Sequence, residues 1–415
     1  MANYKKVKKC RLCESRKLKQ IINFGLVPLG NNLLYKKEKS ILAEKFPLCL
    51  LKCFNCSHFQ LSAMVDPKLL YATNYSYLTG VAPSFINHFK EYAKWIEKKC
   101  NLEKNSKILD IGSNDGTCLK AFKKNKHTVL GVDPAKLPAK IANKNGINTI
   151  NKFFDINVKN IIEKKYGKFD FITSHNVLAH IEDILEVFKG IYELLNDKGY
   201  FCFEVGYFIK VIKNNYFDTI YHEHLDYHHA KPLVAFLKKI GFSVLFISQN
   251  KIQGGSIRIL CRKQRNIKIS KQVNNFLFNE NKLMVNYSKK IMFWEKKINE
   301  NLNHLKRYIK QKKMHGSIIA GYGAPTKATL LIKILNINND VIDYIVEDNS
   351  LKVKRYLPNT GIKVESNNKL KKFPPDIMII FAWNFVSDII KKLKKENIGD
   401  MEILIPLPTF KKIRL

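Results

Sequence analysis

Four short apolar runs give the middle of the chain a repeating pattern. They cover 107–111, 129–133, 169–173 and 199–204, with turns and helix-like stretches between them. A continuous apolar run of this length is typical of a strand that is buried on both faces. Strands that alternate with helices predict a parallel, doubly wound sheet with its ligand site at the carboxyl ends of the strands.

The C-terminal part of the chain repeats this pattern on a smaller scale. Apolar strand-like runs lie within 317–322, 341–348, 376–381 and 402–405, and they predict a second open α/β sheet. The preceding stretch, 266–315, contains neither proline nor glycine and spaces its apolar residues among many lysines. We expect one or two long amphipathic helices there, which serve as a scaffold for the C-terminal sheet.

Length and charge limit the class of protein. A chain of 415 residues predicts two or three domains. The net charge is +37, but the lysines are spread along the whole chain, which favours solubility and a general attraction for anions over nucleic-acid binding. The longest apolar runs fall short of the ~18 residues of a membrane span, and no signal peptide is visible. We therefore expect a cytoplasmic protein that binds no membrane.

Two Cys-x-x-Cys pairs near the N-terminus predict a metal site. Cys10 with Cys13, and Cys53 with Cys56, can supply four thiolates to one tetrahedral zinc ion. A shell of four protein ligands has no open position, so the site is structural. Cys49 is an alternative fourth ligand, and four unrelated core cysteines are the other interpretation.

A glycine turn follows the first of the central runs. Asp110, Gly112 and Gly116 fit the D-x-G-x-x-x-G turn that S-adenosylmethionine enzymes use, and do not fit a dinucleotide fingerprint. Asp133 ends the second run, where a carboxylate can bind both ribose hydroxyls. The residues that we expect to bind this cofactor are Asp110, Gly112, Ser113, Asn114, Asp115, Gly116, Asp133, His175 and Asn176.

The segment Thr-Ile-Tyr-His-Glu-His-Leu-Asp-Tyr-His-His, 219–229, concentrates titratable side chains. It does not fit a helical His-Glu-x-x-His zinc motif, because Asp226 follows His222 at the fifth position and Leu225 follows His224. His222 and His224 are two residues apart, as on one face of an extended segment. The segment predicts acid–base chemistry, with a structural polar network as the alternative.

These features together resemble the nucleotide-sugar C-methyltransferases. The cysteine pairs, the turn at 110–116, the stretch 176–180 and above all Thr219–His224 are similar to that family. The similarity continues at 253–258, 320–327, 356–358, 375–376, 382–384 and 406–408. It implies a zinc-binding β module (1–70), a class I S-adenosylmethionine-dependent methyltransferase domain (71–265), and a helical connector with a Rossmann-like nucleotide-sugar-binding domain (266–415).

The resemblance also implies the reaction, which is methylation of a ring carbon next to the ketone of a nucleotide-linked, for example dTDP-linked, deoxysugar. A positioned base must then remove a weakly acidic proton while donors stabilise the enolate. We expect His224 to be the base, with His222 as the alternative. The supporting residues are Glu223, Tyr221, His180 and Tyr77, and the substrate-binding residues are Tyr75, Arg258, Tyr322 and Lys327.

Alternative functions remain at this stage. A methyl acceptor on oxygen or nitrogen would need less base chemistry than the 219–229 segment offers, and a zinc-containing nucleic-acid methyltransferase would use the positive charge. The family tends to read Leu-Pro-Gly-Thr-His-Ile-Pro where this chain has Gly361 in place of the histidine. A different sugar is expected if that loop contacts the substrate. A monomer and a homodimer are both compatible with the sequence.

Overall fold

The computed structural model describes residues 3–71, 78–265, 267–396 and 398–415, with Tyr71 and Gln253 described by their backbone alone. Three parts follow one another along the chain. None of the helices in these ranges combines the length and the apolar character that a membrane span requires.

The N-terminal part is a small β structure around the cysteine pairs. Its elements are β1 (Tyr4–Lys6), β2 (Leu18–Pro28), α1 (Lys37–Ile41), β3 (Lys45–Cys53), β4 (Phe59–Leu61), β5 (Ala63–Val65) and α2 (Pro67–Tyr71). Strands β2, β3 and β4 form an antiparallel sheet, and β1 pairs with β5. The fourth strand of that sheet comes from residues 226–227 of the next part, so the module is not closed at residue 70.

The central part contains a seven-stranded sheet. Its helices and strands are α3 (Pro83–Cys100), β6 (Lys107–Ile111), α4 (Thr117–Lys124), β7 (Thr128–Val132), α5 (Lys136–Lys144), β8 (Thr149–Ile150), α6 (Ile156–Tyr166), β9 (Phe169–His175), α7 (Ile184–Leu194), β10 (Leu195–Gly206), α8 (Phe208–Asn214), β11 (Asp226–Tyr227), α9 (Ala230–Ile240), β12 (Ser243–Asn250) and β13 (Ser256–Arg262).

The order of these strands identifies the fold. The sheet runs β12-β13-β10-β9-β6-β7-β8, and β13 is antiparallel to both of its neighbours. This is the class I S-adenosylmethionine-dependent methyltransferase fold, and the four predicted strands are confirmed as β6, β7, β9 and β10. The strand order reverses beside β6, where such sheets bind ligands.

Two long helices carry the C-terminal part, as predicted. They are α10 (Lys271–Met292) and α11 (Trp294–Met314). The elements that follow are β14 (Ile319–Tyr322), α12 (Ala328–Leu335), β15 (Tyr344–Val346), β16 (Val364–Glu365), α13 (Asn368–Lys372), β17 (Ile377–Ile380), α14 (Val386–Lys395), β18 (Glu402–Ile405) and β19 (Lys411–Arg414). The sheet order β16-β15-β14-β17-β18-β19, parallel except for β19, is a second Rossmann-like arrangement.

A shared hydrophobic core fixes the three parts relative to one another. One cluster combines Leu48 of β3, Phe217, Trp294 of α11 and Phe381 after β17, all of them buried. Burying one such side chain contributes roughly 2 kcal/mol. The carboxyl ends of the two α/β sheets are therefore held on opposite sides of one cleft.

Candidate active site

A large cleft lies where the carboxyl ends of the two sheets meet. Its volume is about 1760 Å³, well above that of a typical single-ligand pocket. The turn after β6, the stretch 175–183 and the loop 219–227 line it from the central part, and 325–327, 383–386 and 405–411 line it from the C-terminal part. The cleft therefore has room for two ligands side by side.

The turn after β6 fits the amino-acid end of S-adenosylmethionine. Gly112 has a φ of +76°, and a Cβ there would clash with the side chain of Val177, so the turn requires glycine at this position. Asp110 lines the cleft, and within the described residues its buried Oδ1 has no hydrogen-bond partner. Burial and the nearby Asp133 raise the pKa of Asp110 to about 8. An ammonium group would satisfy this oxygen.

Asp133 lies at the end of β7 in a position suited to ribose hydroxyls. Its carboxylate accepts hydrogen bonds from the backbone N–H groups of Asn114 and Ala135, each at 2.8 Å, and it lines the cleft. Burial raises its pKa to about 6. Ser113 and Asn114 line the cleft beside it.

Asp115 and Gly116 form the end of the glycine turn, where it leads into α4. Asp115 accepts hydrogen bonds from the Gly80 N–H at 2.7 Å and from the Thr117 hydroxyl at 2.6 Å. Gly116 is the N-cap of α4. Neither belongs to the described lining of the cleft, so these two residues shape the turn, and their direct contact with a cofactor remains a prediction.

Several phenylalanines that line the cleft were not predicted from the sequence. Phe153, Phe154 and Asp155 follow β8 and line the cleft, as do Phe85 and Phe89 of α3. Strand β8 has two residues and gives no alternation to detect. The signal was available only in the pair of phenylalanines before the N-cap residue Asp155.

His175 and Asn176 lie at the end of β9. The His175 ring contacts Thr173 Oγ1 at 2.9 Å and Glu204 Oε2 at 3.2 Å, and burial lowers its pKa. The Asn176 N–H donates to the Glu204 carbonyl at 2.7 Å. Both residues line the cleft, with the His175 ring fixed by its neighbours.

Arg258 and Tyr322, which the sequence predicts to bind substrate, instead contact other side chains of the protein. The Arg258 guanidinium donates to Glu204 at 2.6 Å and lies over the Tyr92 ring. The Tyr322 hydroxyl donates to Asp348 at 3.2 Å. Neither is part of the described lining of the cleft. Their geometry gives no support to substrate contact.

His224 and Tyr221 form a hydrogen-bonded pair in the cleft. The His224 Nδ1 lies 3.2 Å from the Thr219 carbonyl oxygen, which can only accept, so Nδ1 carries the proton. Nε2 is therefore unprotonated, and its lone pair accepts a hydrogen bond from the Tyr221 hydroxyl at 3.0 Å. Burial holds the pKa of His224 well below its usual value. The ring is thus a neutral base at physiological pH.

Two further titratable residues surround this pair. The ring centre of His180 lies 4.8 Å from that of His224, and burial lowers the pKa of His180 to about 4. Glu223 also lines the cleft, and burial raises its pKa to about 7. The two ring nitrogens of His224 contact Tyr221 and Thr219, so these two residues orient the ring.

His222 points away from the cleft. Its Nε2 donates to the carbonyl of Phe46 in β3 at 3.2 Å, and its buried ring is not among the cleft residues of the described chain. Of the two histidines that the sequence left open, His224 therefore has the geometry of a base. Tyr75 and Tyr77 lie outside the described residues.

Lys327 presents a cation from the C-terminal sheet. Its Nζ lies 3.7 Å from the centre of the Trp383 ring, 2.8 Å from Asn384 Oδ1 and 3.9 Å from Asp218 Oδ2. Burial lowers its pKa to about 8. Because Lys327 lines the cleft at a strand–turn–helix junction, it can meet an anionic ligand there.

The four cysteines have the geometry of a zinc site. The Sγ atoms of Cys10, Cys13, Cys53 and Cys56 lie within 4.8 Å of one another, and the Cys10–Cys56 and Cys13–Cys53 distances are both 3.6 Å. Thiolates at zinc distance, ~2.3 Å, form a tetrahedron of this size. Cys49 is not part of the group; its Sγ lies 3.5 Å from Gln20 Oε1.

Gly361, which replaces a histidine of the similar family, lies away from the cleft. Its N–H donates to Ser40 Oγ at 3.2 Å, and the loop packs against the end of α1. It is not among the described residues that line the cleft. This substitution therefore leaves the described lining of the cleft unchanged.

Comparisons with known proteins agree with the three parts. The chain matches the zinc binding domain family over residues 10–71, a methyltransferase domain family over 85–246 and the C-methyltransferase C-terminal domain family over 251–408. The C-methyltransferase NovU from Streptomyces niveus is 28% identical over 405 residues, which cover 97% of this chain and 96% of NovU.

Two more distant matches each cover less than half of the chain. The ubiquinone biosynthesis O-methyltransferase of Pseudomonas fluorescens is 26% identical over 109 residues, which are 25% of this chain and 46% of that protein. The magnesium protoporphyrin IX methyltransferase structure from Synechocystis, with bound S-adenosylmethionine, is 14% identical over 43% of this chain and 79% of that one, with a TM-score of 0.33. The chain therefore combines a zinc-binding domain, a methyltransferase domain and a C-methyltransferase C-terminal domain, and it is similar to a C-methyltransferase over nearly its whole length.

Proposed function

We propose that this enzyme methylates a ring carbon next to the ketone of a nucleotide-linked keto-deoxysugar. The observation that carries the proposal is the neutral Tyr221–His224 pair, which faces the same cleft as the glycine turn at 110–116. When bound at that turn, S-adenosylmethionine supplies the methyl group. The pair supplies what a carbon acceptor needs in addition, which is a base.

Each side chain near the reacting carbon has a role in the proposed reaction. His224 Nε2 takes the proton either directly, when substrate displaces the Tyr221 hydroxyl, or through that hydroxyl, which then passes its own proton to Nε2. The Tyr221 O–H that remains or re-forms can donate to the enolate oxygen. Ionised Glu223 stabilises the positive charge that His224 takes up with the proton.

Acids such as Asp110 and Asp133 line one part of the cleft, and it is the lysines of the cleft that support an anionic sugar nucleotide. Lys210, Lys251, Lys327 and Lys411 all line the cleft. Lys327 lies at the second glycine-containing turn, where a diphosphate would find backbone N–H groups and a cation together. A neutral acceptor would gain little from this arrangement.

An oxygen acceptor fits the site less well. The match to the ubiquinone biosynthesis O-methyltransferase of Pseudomonas fluorescens covers only 25% of this chain. A hydroxyl group has lone pairs and loses its proton far more readily than carbon does, so it does not require the Tyr221–His224 arrangement.

The test is to incubate the enzyme with labelled S-adenosylmethionine and a panel of nucleotide keto-sugars, and to locate the new methyl group by NMR. Replacing His224 by Asn should slow transfer by about 10²- to 10⁴-fold while both ligands still bind. The exposed His304 is a matched control, because His304→Asn removes an imidazole far from the cleft. Wild-type rates in His224→Asn would refute the assigned base.

A further inference from the structure

Asn31, a residue of the N-terminal zinc module, reaches into the cleft. It lies in the turn that follows β2 and is among the residues lining the cleft. Its Nδ2 donates a hydrogen bond to Glu223 Oε1 at 2.8 Å, across 192 positions of the chain. The zinc module thus contributes a side chain that touches the loop carrying His224.

The turn around Asn31 is held on both sides. Leu29 and Leu33 are buried, and the N–H groups of Asn32 and Leu33 donate to the carbonyls of Leu29 and Asn31. A Cβ on Gly30 would clash with the carbonyl of Thr326, so the turn packs directly on the C-terminal turn beside Lys327. Asn31 is therefore fixed where the three parts of the chain meet.

The charges around Glu223 make this hydrogen bond important. Burial favours the neutral acid, whereas the Asn31 amide and the Lys352 ammonium favour the carboxylate. Lys352 donates to the Ala324 carbonyl at 2.9 Å and is shared with the acid Glu347. The neutral ring of His180 lies against the Glu223 backbone. Among these groups, the Asn31 amide makes the hydrogen bond to the carboxylate at the cleft.

We propose that Asn31 is a positioning residue of the active site, whose amide orients Glu223 and keeps it ionised while His224 accepts a proton. The role of Glu223 rests on the function proposed above, but its hydrogen bond to Asn31 does not. The zinc module then has a part in catalysis besides its structural one, because it delivers this amide to the site.

The experiment compares Asn31→Ala and Asn31→Asp with Asn32→Ala, a neighbouring exposed position. Infrared titration of the protein without sugar follows the carboxyl band that disappears in Glu223→Gln, and so reports the pKa of Glu223. Loss of the donor should raise that pKa by about one unit, and the like charge in Asn31→Asp should raise it further. Asn32→Ala should match the wild type.

Kinetics provide the second readout. The acidic limb of kcat/KM, which reports groups of the enzyme before it binds the sugar, should move to higher pH by the same amount as the infrared titration, with the Kd for S-adenosylmethionine unchanged. An unshifted Glu223 band in both Asn31 variants, or an equal shift in Asn32→Ala, overturns the proposal even if activity falls. Should Asn31→Asp not fold, Asn31→Ala decides alone. A shifted band in an enzyme that methylates no keto-sugar would refute the proposed function and leave the Asn31–Glu223 interaction intact.

Discussion

The two turns that line the cleft share a strand–turn–helix plan but carry different side chains. Each follows a central strand of an open α/β sheet and leads into a helix, at 110–117 in one sheet and 322–328 in the other. The turn after β6 presents the buried carboxyl group of Asp110, next to that of Asp133 at the end of β7. The turn after β14 presents the cation Lys327. The fold provides the position, and the side chains select the ligand.

Under the proposed function, the different side chains of the two turns place S-adenosylmethionine at one turn and the sugar nucleotide at the other. A turn with acceptors suits the ammonium and ribose of S-adenosylmethionine, and a turn with a lysine suits phosphate oxygens. The loop 219–227 lies between the two turns and carries Tyr221 and His224. An acceptor that is anchored by its diphosphate at Lys327 would place its sugar beside the base.

Of the substitutions in the two turns, Asp110→Asn should have the larger effect on binding. A hydrogen bond to a charged group contributes about 2 to 3 kcal/mol, so the Kd for S-adenosylmethionine should rise roughly 30- to 150-fold. The Kd for the sugar nucleotide should not change. Isothermal titration calorimetry measures both, with Asp197→Asn at an exposed position as control. Unchanged affinity for S-adenosylmethionine would mean that the first turn does not bind its ammonium.

Replacing Lys327 by Gln should have a smaller effect, and on the other ligand. The KM for the sugar nucleotide should rise about tenfold, in line with the loss of one charge-assisted contact, and the Kd for S-adenosylmethionine should stay the same. Lys371→Gln, at an exposed position, serves as the matched control. A rise in both constants would show that the two turns do not act on separate ligands.

The pH dependence should separate the turns by the sign of the slope. Asp110, with its pKa raised to about 8, gains its charge as pH rises, so S-adenosylmethionine should bind roughly fivefold more tightly at pH 8 than at pH 7. Lys327, with its pKa lowered to about 8, loses its charge, so the sugar nucleotide should bind roughly fivefold more weakly at pH 9 than at pH 8. If the affinities for both ligands changed in the same direction with pH, the assignment of one ligand to each turn would be contradicted.

The parts of the fold that depend on local pattern were predictable. The runs that became β6, β7, β9 and β10, the helical pair α10 and α11, and the four cysteines each carry a period or a spacing that has one physical meaning. The spacing of Tyr221 and His224 also places them together once the segment turns back on itself.

The rest of the site depends on contacts between distant segments. Nothing near residue 31 indicates that its amide will meet Glu223. His222 looks equivalent to His224 in the sequence, and only the packing of β3 against this loop turns its ring away. Arg258 forms an ion pair with Glu204, because a buried carboxylate requires a partner. The burial of Glu204 is known only from the three-dimensional structure.

The most direct test of the account is to follow solvent deuterium into a nucleotide keto-sugar that the enzyme accepts. The account predicts that deuterium enters at the carbon next to the ketone, that His224→Asn abolishes this exchange, and that the methyl group is found on the same carbon. A product methylated on oxygen or nitrogen, with no deuterium at carbon, would contradict it.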